Sequence, residues 1–98
     1  YTDGEQKGVG LIDITDAAAP KPAGFVPAGG ETTSLVILGQ RAFVAVVTSG
    51  DNFKQPAGHL ATIDLATKQV VATCDLGGQP DSITLSKDKS KLVVVIEN

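Results

Sequence analysis

The sequence has no methionine and no tryptophan, one cysteine, and aromatic residues at only 4% of its 98 positions. The missing initiator, and an apolar run at Val93–Ile96 that only Glu97 and Asn98 follow, lead us to expect that both ends are cut from a longer chain. A single cysteine cannot form an internal disulfide. We therefore expect Cys74 to be a half-buried strand residue that packs as a small apolar side chain.

The chain also lacks a basic stripe and a long apolar segment. Its net charge is −3 and its pI is about 4.8, and no basic residues alternate with aromatic ones, so we predict no nucleic-acid partner. No stretch reaches the roughly 18 apolar residues that a membrane span requires, so we predict no span in this segment. The 42% of apolar residues are mainly aliphatic, which suits tightly stacked β-sheets.

Short apolar runs separated by turn-forming residues predict β-strands along the whole chain, and no segment shows a helical stripe. Gly39 and Gln40 separate two of these runs, and a two-residue connection with glycine first is typical of a type II′ hairpin. The predicted strands are Gly8–Ile14, Ala23–Ala28, Ser34–Leu38, Arg41–Thr48, Gly58–Leu65, Gln69–Leu76, Ser82–Ser86 and Lys91–Glu97.

The chain contains an internal repeat. Gly29-Gly30-Glu31-Thr32-Thr33-Ser34 aligns with Gly77-Gly78-Gln79-Pro80-Asp81-Ser82, 48 positions further on (29 to 77). Leu11-Ile12-Asp13-Ile14 aligns with Thr62-Ile63-Asp64-Leu65, 51 positions further on (11 to 62). Spacings of this size are typical of the four-stranded blades of a β-propeller.

These features predict an all-β fold, a β-propeller fragment with about one full four-stranded blade and two half-blades. Within a single propeller domain, residues 1–28 would form strands C and D of one blade, residues 29–76 a complete blade, and residues 77–98 strands A and B of the next. The open blade faces would be covered by the remainder of the propeller or by another chain. The alternative is a freestanding eight-stranded sandwich, for which the glycine-pair repeat would be a coincidence.

Strand polarity separates the charged residues into two ends of the predicted blades. We expect one end to carry seven acids, against Lys7, Lys54 and one neutral histidine, and the other to carry four acids and six bases. The acids of the first end are Asp3, Glu5, Glu31, Asp51, Asp75, Asp81 and Glu97. The charged residues of the other end are Asp13, Asp16, Asp64 and Asp88 with Lys21, Arg41, Lys68, Lys87, Lys89 and Lys91.

Three of these acids are candidate metal ligands. Glu31 and Asp81 lie at the entrances to innermost strands, and Glu97 lies at the mouth end of a neighbouring strand. Carboxylates on rigidly held loops suit Ca²⁺, which binds oxygen ligands in flexible geometry. The alternative is that acids in these loops serve only solubility, and the sequence contains no compact calcium motif.

Other polar residues have structural explanations. We expect His59 to be a hydrogen-bonded structural histidine, and Asp13 and Asp64 to stabilise turns through side-chain-to-backbone hydrogen bonds. Ser34 and Ser82 lack the surroundings of a nucleophile elbow. No nucleophile–base pair can be assembled from the sequence, so the catalytic residues are unassigned.

Across nearly its whole length the chain resembles secreted bacterial β-propellers of the esterase-like-activity-of-phytase type. The residues that carry the resemblance are Gly8–Asp16, Gly29–Ser34, Val44–Ser49, Leu76–Ser82 and Ile96–Asn98, and Ile63–Thr67 is common to the wider YVTN and surface-layer propellers. The resemblance implies a periplasmic or extracellular protein. In phytase-type propellers, acidic side chains around the channel mouth hold calcium ions that bind substrate phosphate, and only Glu31, Asp81 and Glu97 occupy suitable positions here.

Two functional hypotheses follow. In the first, the propeller is a calcium-dependent hydrolase of phosphate or carboxylate esters, in which the metal polarises the phosphoryl oxygen and orients a water. In the second, it is a non-catalytic surface or periplasmic scaffold that binds a protein or polysaccharide. Blade motifs specify architecture well and activity poorly, so the sequence leaves both open.

Overall fold

A computed structural model describes residues 1–52 and 54–97. Every regular secondary-structure element in these residues is a β-strand. The all-β prediction is confirmed. Nine strands are present in this part of the chain: β1 (Thr2–Asp3), β2 (Gly8–Asp13), β3 (Lys21–Pro27), β4 (Glu31–Leu38), β5 (Arg41–Val47), β6 (Gly58–Asp64), β7 (Gln69–Asp75), β8 (Pro80–Leu85) and β9 (Leu92–Ile96).

The strands form three antiparallel sheets in chain order. The first sheet contains β1, β2 and β3, the middle sheet contains β4 to β7, and the third contains β8 and β9. Within each sheet, every strand pairs with the next one along the chain, as in the meander of a propeller blade. The innermost strands β4 and β8 lie beside each other across the middle and third sheets. The assignment of all three sheets to one propeller domain stays a prediction.

The sequence analysis missed β1. Residues 1–7 lie outside the predicted strands, but Thr2 pairs with Val9 and Asp3 with Gly8. The Tyr1 amino group also donates a 2.8 Å hydrogen bond to the Gly10 carbonyl. A two-residue strand has no readable periodicity, and this one is defined by its partner β2. The first sheet therefore has a third, short strand at its inner edge.

The main core lies between the first and middle sheets. Val9 and Val26 of the first sheet pack in one cluster with Val44, Val46 and Ile63 of the middle sheet. These aliphatic side chains stand on one face of each sheet, because successive strand residues point to opposite sides. On the opposite face of the middle sheet, Ala45 is fully buried where β5 lies against β8.

One expectation about burial was wrong. Cys74 is exposed rather than half-buried, because β7 is the outer edge strand and all of its residues are exposed. In β9, Val93 is 53% and Val95 52% exposed. Nothing in the described part of the chain covers the outer face of the third sheet.

The turns follow their sequence signals. Gly39 has a φ of +59° and Gln40 is not among the positive-φ residues, which is the pattern of the predicted type II′ turn. Asp13 accepts hydrogen bonds from the Thr15 amide and hydroxyl, and Asp64 accepts from the amides of Ala66 and Thr67. The predicted turn-stabilising role of both aspartates is confirmed.

Candidate acidic cavity

The three predicted ligand residues line one open cavity of about 320 Å³. It lies at the end of the sheets where β4 and β8 begin and β9 ends. A fourth carboxylate, Asp51 from the β5–β6 loop, joins them. The remaining lining residues are Thr33, Val47, Gly50, Gln79 and Pro80.

Strand order explains why residues so distant in sequence meet here. Glu31 is the first residue of β4 and Asp81 the second of β8, and these two innermost strands are neighbours. Glu97 directly follows β9, which is antiparallel to β8 and so ends beside its start. The four carboxylates are exposed, so they give the cavity a negative wall without the cost of burying unpaired charge.

Polar contacts fix the walls of the cavity. The Gln79 side-chain amide donates a 2.8 Å hydrogen bond to the Ser49 hydroxyl, and the Glu97 amide donates to the Gln79 carbonyl at 2.7 Å. The Thr33 hydroxyl donates to the Pro80 carbonyl at 3.0 Å and so joins the middle and third sheets. Gln79 therefore connects the β5–β6 loop to the end of β9, which holds Asp51 and Glu97 in one wall.

Sequence reasoning assigned no role at this site to Asp51, Thr33 or Gln79. Asp51 was counted among the acids of this end, but nothing in its loop indicated that it would face Glu31 and Asp81. Gln79 was visible as part of the second glycine-pair segment. Its alignment with Glu31 in the repeat indicated that it would lie at the same end of the sheets. Its hydrogen bond to Ser49 could not be predicted, because the two residues are far apart in sequence.

The carboxylates line the cavity without converging on one point. Among residues 1–52 and 54–97, no group of three or more His, Cys, Asp or Glu side chains is arranged to hold a metal ion. Any divalent cation here would need water or backbone oxygens for most of its ligands, which Ca²⁺ accepts more readily than smaller cations do.

His59 lies away from this cavity and does not match its expected role. Its Nε2 is buried and has no hydrogen-bond partner, whereas we expected a hydrogen-bonded side chain. It pairs with Val46 on one side and Asp75 on the other, and an added Cβ at Gly29 would lie 3.8 Å from its Cε1. The His59 ring therefore lies beside the connection between β3 and β4.

At the opposite end of the sheets, the aspartates have a different environment. Hydrogen bonds from the Ser86 and Ser90 hydroxyls lower the pKa of Asp88 from 3.8 to about 2. The Thr15 hydroxyl and amide lower the pKa of Asp13, and the amides of Thr67 and Ala66 lower that of Asp64, with a smaller contribution from Arg41. These carboxylates stabilise turns.

Three antiparallel sheets packed side by side, with an acid-lined cavity at one end, place the chain in the all-β class. The family model of the Choice-of-anchor I domain matches residues 1–98, and the chain belongs to this family. It is a bacterial surface-associated domain, so the chain is part of an exported protein, secreted or anchored at the cell surface. No curated protein matches the sequence. The described residues contain no helix long and apolar enough to cross a membrane.

Proposed function

We propose that this chain is part of a non-catalytic surface scaffold of the β-propeller type, whose acidic cavity binds a cationic group of an external protein or polysaccharide. The observation that carries the proposal is the position of Glu31, Asp51, Asp81 and Glu97 around one cavity of about 320 Å³. Carboxylates spread over the walls suit a ligand that carries extended positive charge, because each can interact with a different part of it.

The proposal is tested by titrating an oligolysine peptide into the 98-residue chain and following the heat of binding. The Glu31→Gln, Asp81→Asn double variant should bind about tenfold more weakly, since two charges of the cavity are lost. Glu5→Gln removes an exposed acid of the same end outside the cavity and is the matched control. Equal weakening by Glu5→Gln would show that only net charge matters and would reject a specific site.

The second candidate is the calcium-dependent phosphoester hydrolase suggested by the resemblance to phytase-type propellers. It is favoured by the shared cavity of Glu31, Asp81 and Glu97, the positions that the resemblance selects. In this candidate Ca²⁺, held by these carboxylates with water, would bind and polarise a substrate phosphate. Both candidates imply export, and the periplasm and the cell exterior are equally compatible with them.

Turnover of p-nitrophenyl phosphate by the chain and by any longer protein that contains it, with Ca²⁺ and with a chelator, separates the two candidates. Hydrolysis that chelation abolishes and Asp81→Asn reduces would support the hydrolase. A rate that is zero in both conditions, or unchanged by chelation, would reject it and leave the binding scaffold standing.

A further inference from the structure

The turn between β8 and β9 carries three lysines at the end of the sheets opposite the acidic cavity. Lys87, Lys89 and Lys91 are all exposed, and we call the segment that they span the lysine turn. In the described part of the chain, the one ion pair joins Arg41 to Asp64 at 3.8 Å. The three lysine ammonium groups therefore have no carboxylate partner among these residues.

The one acid of the lysine turn is used to hold the backbone. The Asp88 carboxylate accepts hydrogen bonds from the hydroxyls of Ser86 and Ser90, each at 2.7 Å, and from the Ser90 amide at 3.1 Å. The Ser86 amide donates to the Lys91 carbonyl and the Lys89 amide to the Ser86 carbonyl, both at 2.9 Å. The turn is thus ordered without a ligand, which lowers the entropic cost of binding one.

Lys89 has a backbone conformation that lysine seldom adopts. Its φ is +62°, in the left-handed region that favours glycine and asparagine. Lys68 has a similar φ of +60°, and its ammonium donates a 2.7 Å hydrogen bond to the Ala23 carbonyl. The Lys89 ammonium has no such acceptor in the part of the chain that the structure describes. A side chain kept in a sparsely populated conformation points to a role for that side chain.

An apolar cleft of about 240 Å³ lies beside the lysine turn, between the middle and third sheets. Its lining residues are Leu38 and Phe43 of the middle sheet, Leu85 and Leu92 of the third sheet, and Lys89, Ser90 and Lys91 of the turn. All of them lie between positions 38 and 92, in paired strands and the turn that connects two of them. An apolar floor with a few charged groups at its rim suits a ligand that has both carbon surface and negative charge.

The exposure of the lysines selects a partner with several charges. A single exposed ion pair contributes little, because water and salt screen it, so binding here requires a partner that meets several ammonium groups at once. A lysine ammonium is a point charge without a planar fork, which suits a phosphate group that approaches from any side. Arg41, whose guanidinium could bind a carboxylate in two places, is already paired with Asp64.

We propose that the lysine turn and the apolar cleft form a docking surface for an anionic polymer of the cell exterior, in which phosphodiester groups alternate with short carbon units. The phosphates contact Lys87, Lys89 and Lys91, and the carbon units lie against Phe43. Such a polymer is within reach of an exported protein. The surface lies at the other end of the sheets from the acidic cavity, so the proposal does not rest on the function proposed for that cavity.

Calorimetric titration of poly(glycerol phosphate) tests the proposal on the chain and on any longer protein that contains it. A chelator is present, so that no calcium can bridge the phosphates to the acidic cavity. We expect binding that weakens as salt is added, because salt screens exposed charges. The Lys89→Gln, Lys91→Gln double variant should bind about tenfold more weakly, since two of the contacts that act together are lost.

The Lys7→Gln, Lys54→Gln double variant is the matched control. It removes the same charge at the opposite end of the sheets, and Lys7 also has a positive φ, +61°. This variant should bind as the unchanged chain does, and so should the Glu31→Gln, Asp81→Asn variant of the acidic cavity. Equal weakening by the lysine control, or weakening by the cavity variant, overturns the lysine turn as the site.

Two further polymers test the chemistry of the partner. Polygalacturonate carries carboxylates in place of phosphates and should bind several-fold more weakly, and uncharged dextran should not bind. Equal affinity for poly(glycerol phosphate) and polygalacturonate overturns the choice of phosphate. Absence of any binding of poly(glycerol phosphate) at low salt overturns the docking surface itself.

Discussion

The Thr32 hydroxyl donates a buried 2.7 Å hydrogen bond to the Gly8 carbonyl. This bond joins β4 of the middle sheet to β2 of the first sheet. The next residue, Thr33, points the other way and donates to the Pro80 carbonyl of β8 at 3.0 Å. Because consecutive strand residues face opposite sides, two adjacent threonines on one inner strand join all three sheets. The pair lies in the first glycine-pair segment, directly after Glu31 of the acidic cavity.

Thr32→Val should lower the free energy of unfolding by about 1–3 kcal/mol. Valine has nearly the same shape, but it leaves the Gly8 carbonyl without its donor in a buried position. Urea denaturation measures the change. Thr33→Val is the matched control, since its bond is only partly buried and should contribute less. Equal losses for both variants would contradict the special role of the buried bond.

Gly58→Ala should destabilise the chain by about 1–3 kcal/mol or prevent folding. A Cβ on Gly58 would lie 2.6 Å from the backbone carbonyl oxygens of both Gly78 and Val46, and these cannot move away cheaply. Thermal unfolding of the variant gives the measurement. Gly4→Ala is the control, because the nearest atom to its added Cβ is the flexible Glu31 side chain at 3.1 Å. A neutral Gly58→Ala would mean that β5, β6 and β8 pack less closely.

His59→Leu should raise the free energy of unfolding by about 1 kcal/mol. The substitution removes a buried Nε2 that has no hydrogen-bond partner, and the cost of keeping such an atom from water disappears. Chemical denaturation at neutral pH tests this. His59→Gln retains a polar side chain and should give no gain. A loss of stability in His59→Leu would indicate that the imidazole makes a contact that stabilises the fold.

The Asp88 carboxylate should titrate with a midpoint of about 2 when its carboxyl resonance is followed by NMR. Its folded pKa is lower than the ordinary 3.8, so its stabilising effect is fully present above about pH 4 and is lost as the pH falls toward 2. Replacement of both Ser86 and Ser90 by alanine removes the two hydroxyl donors and should return the midpoint toward 3.8. An unchanged midpoint in that variant would show that the serines are not the cause.

The sequence by itself determined eight of the nine described strands, their order and their turns, because these depend on local signals. The glycine pairs at Gly29 and Gly77 identified equivalent points of two sheets. Asp13 and Asp64 predicted the turns that follow them, and each accepts a hydrogen bond from the amide two residues further on. It also placed Glu31, Asp81 and Glu97 at one end, since strand direction alone decides which loops share an end.

Only the tertiary structure decided which side chains share a cavity, which atoms are left unpaired and which surfaces are open. Asp51 joins the acidic cavity through a loop whose path no periodicity describes, and β1 exists only because β2 offers it an edge. Cys74 and Val95 have ordinary strand sequences, yet both are exposed because one lies on an outer edge strand and the other on an uncovered face. Burial is a property of what packs against a strand, and the strand's own residues do not encode it.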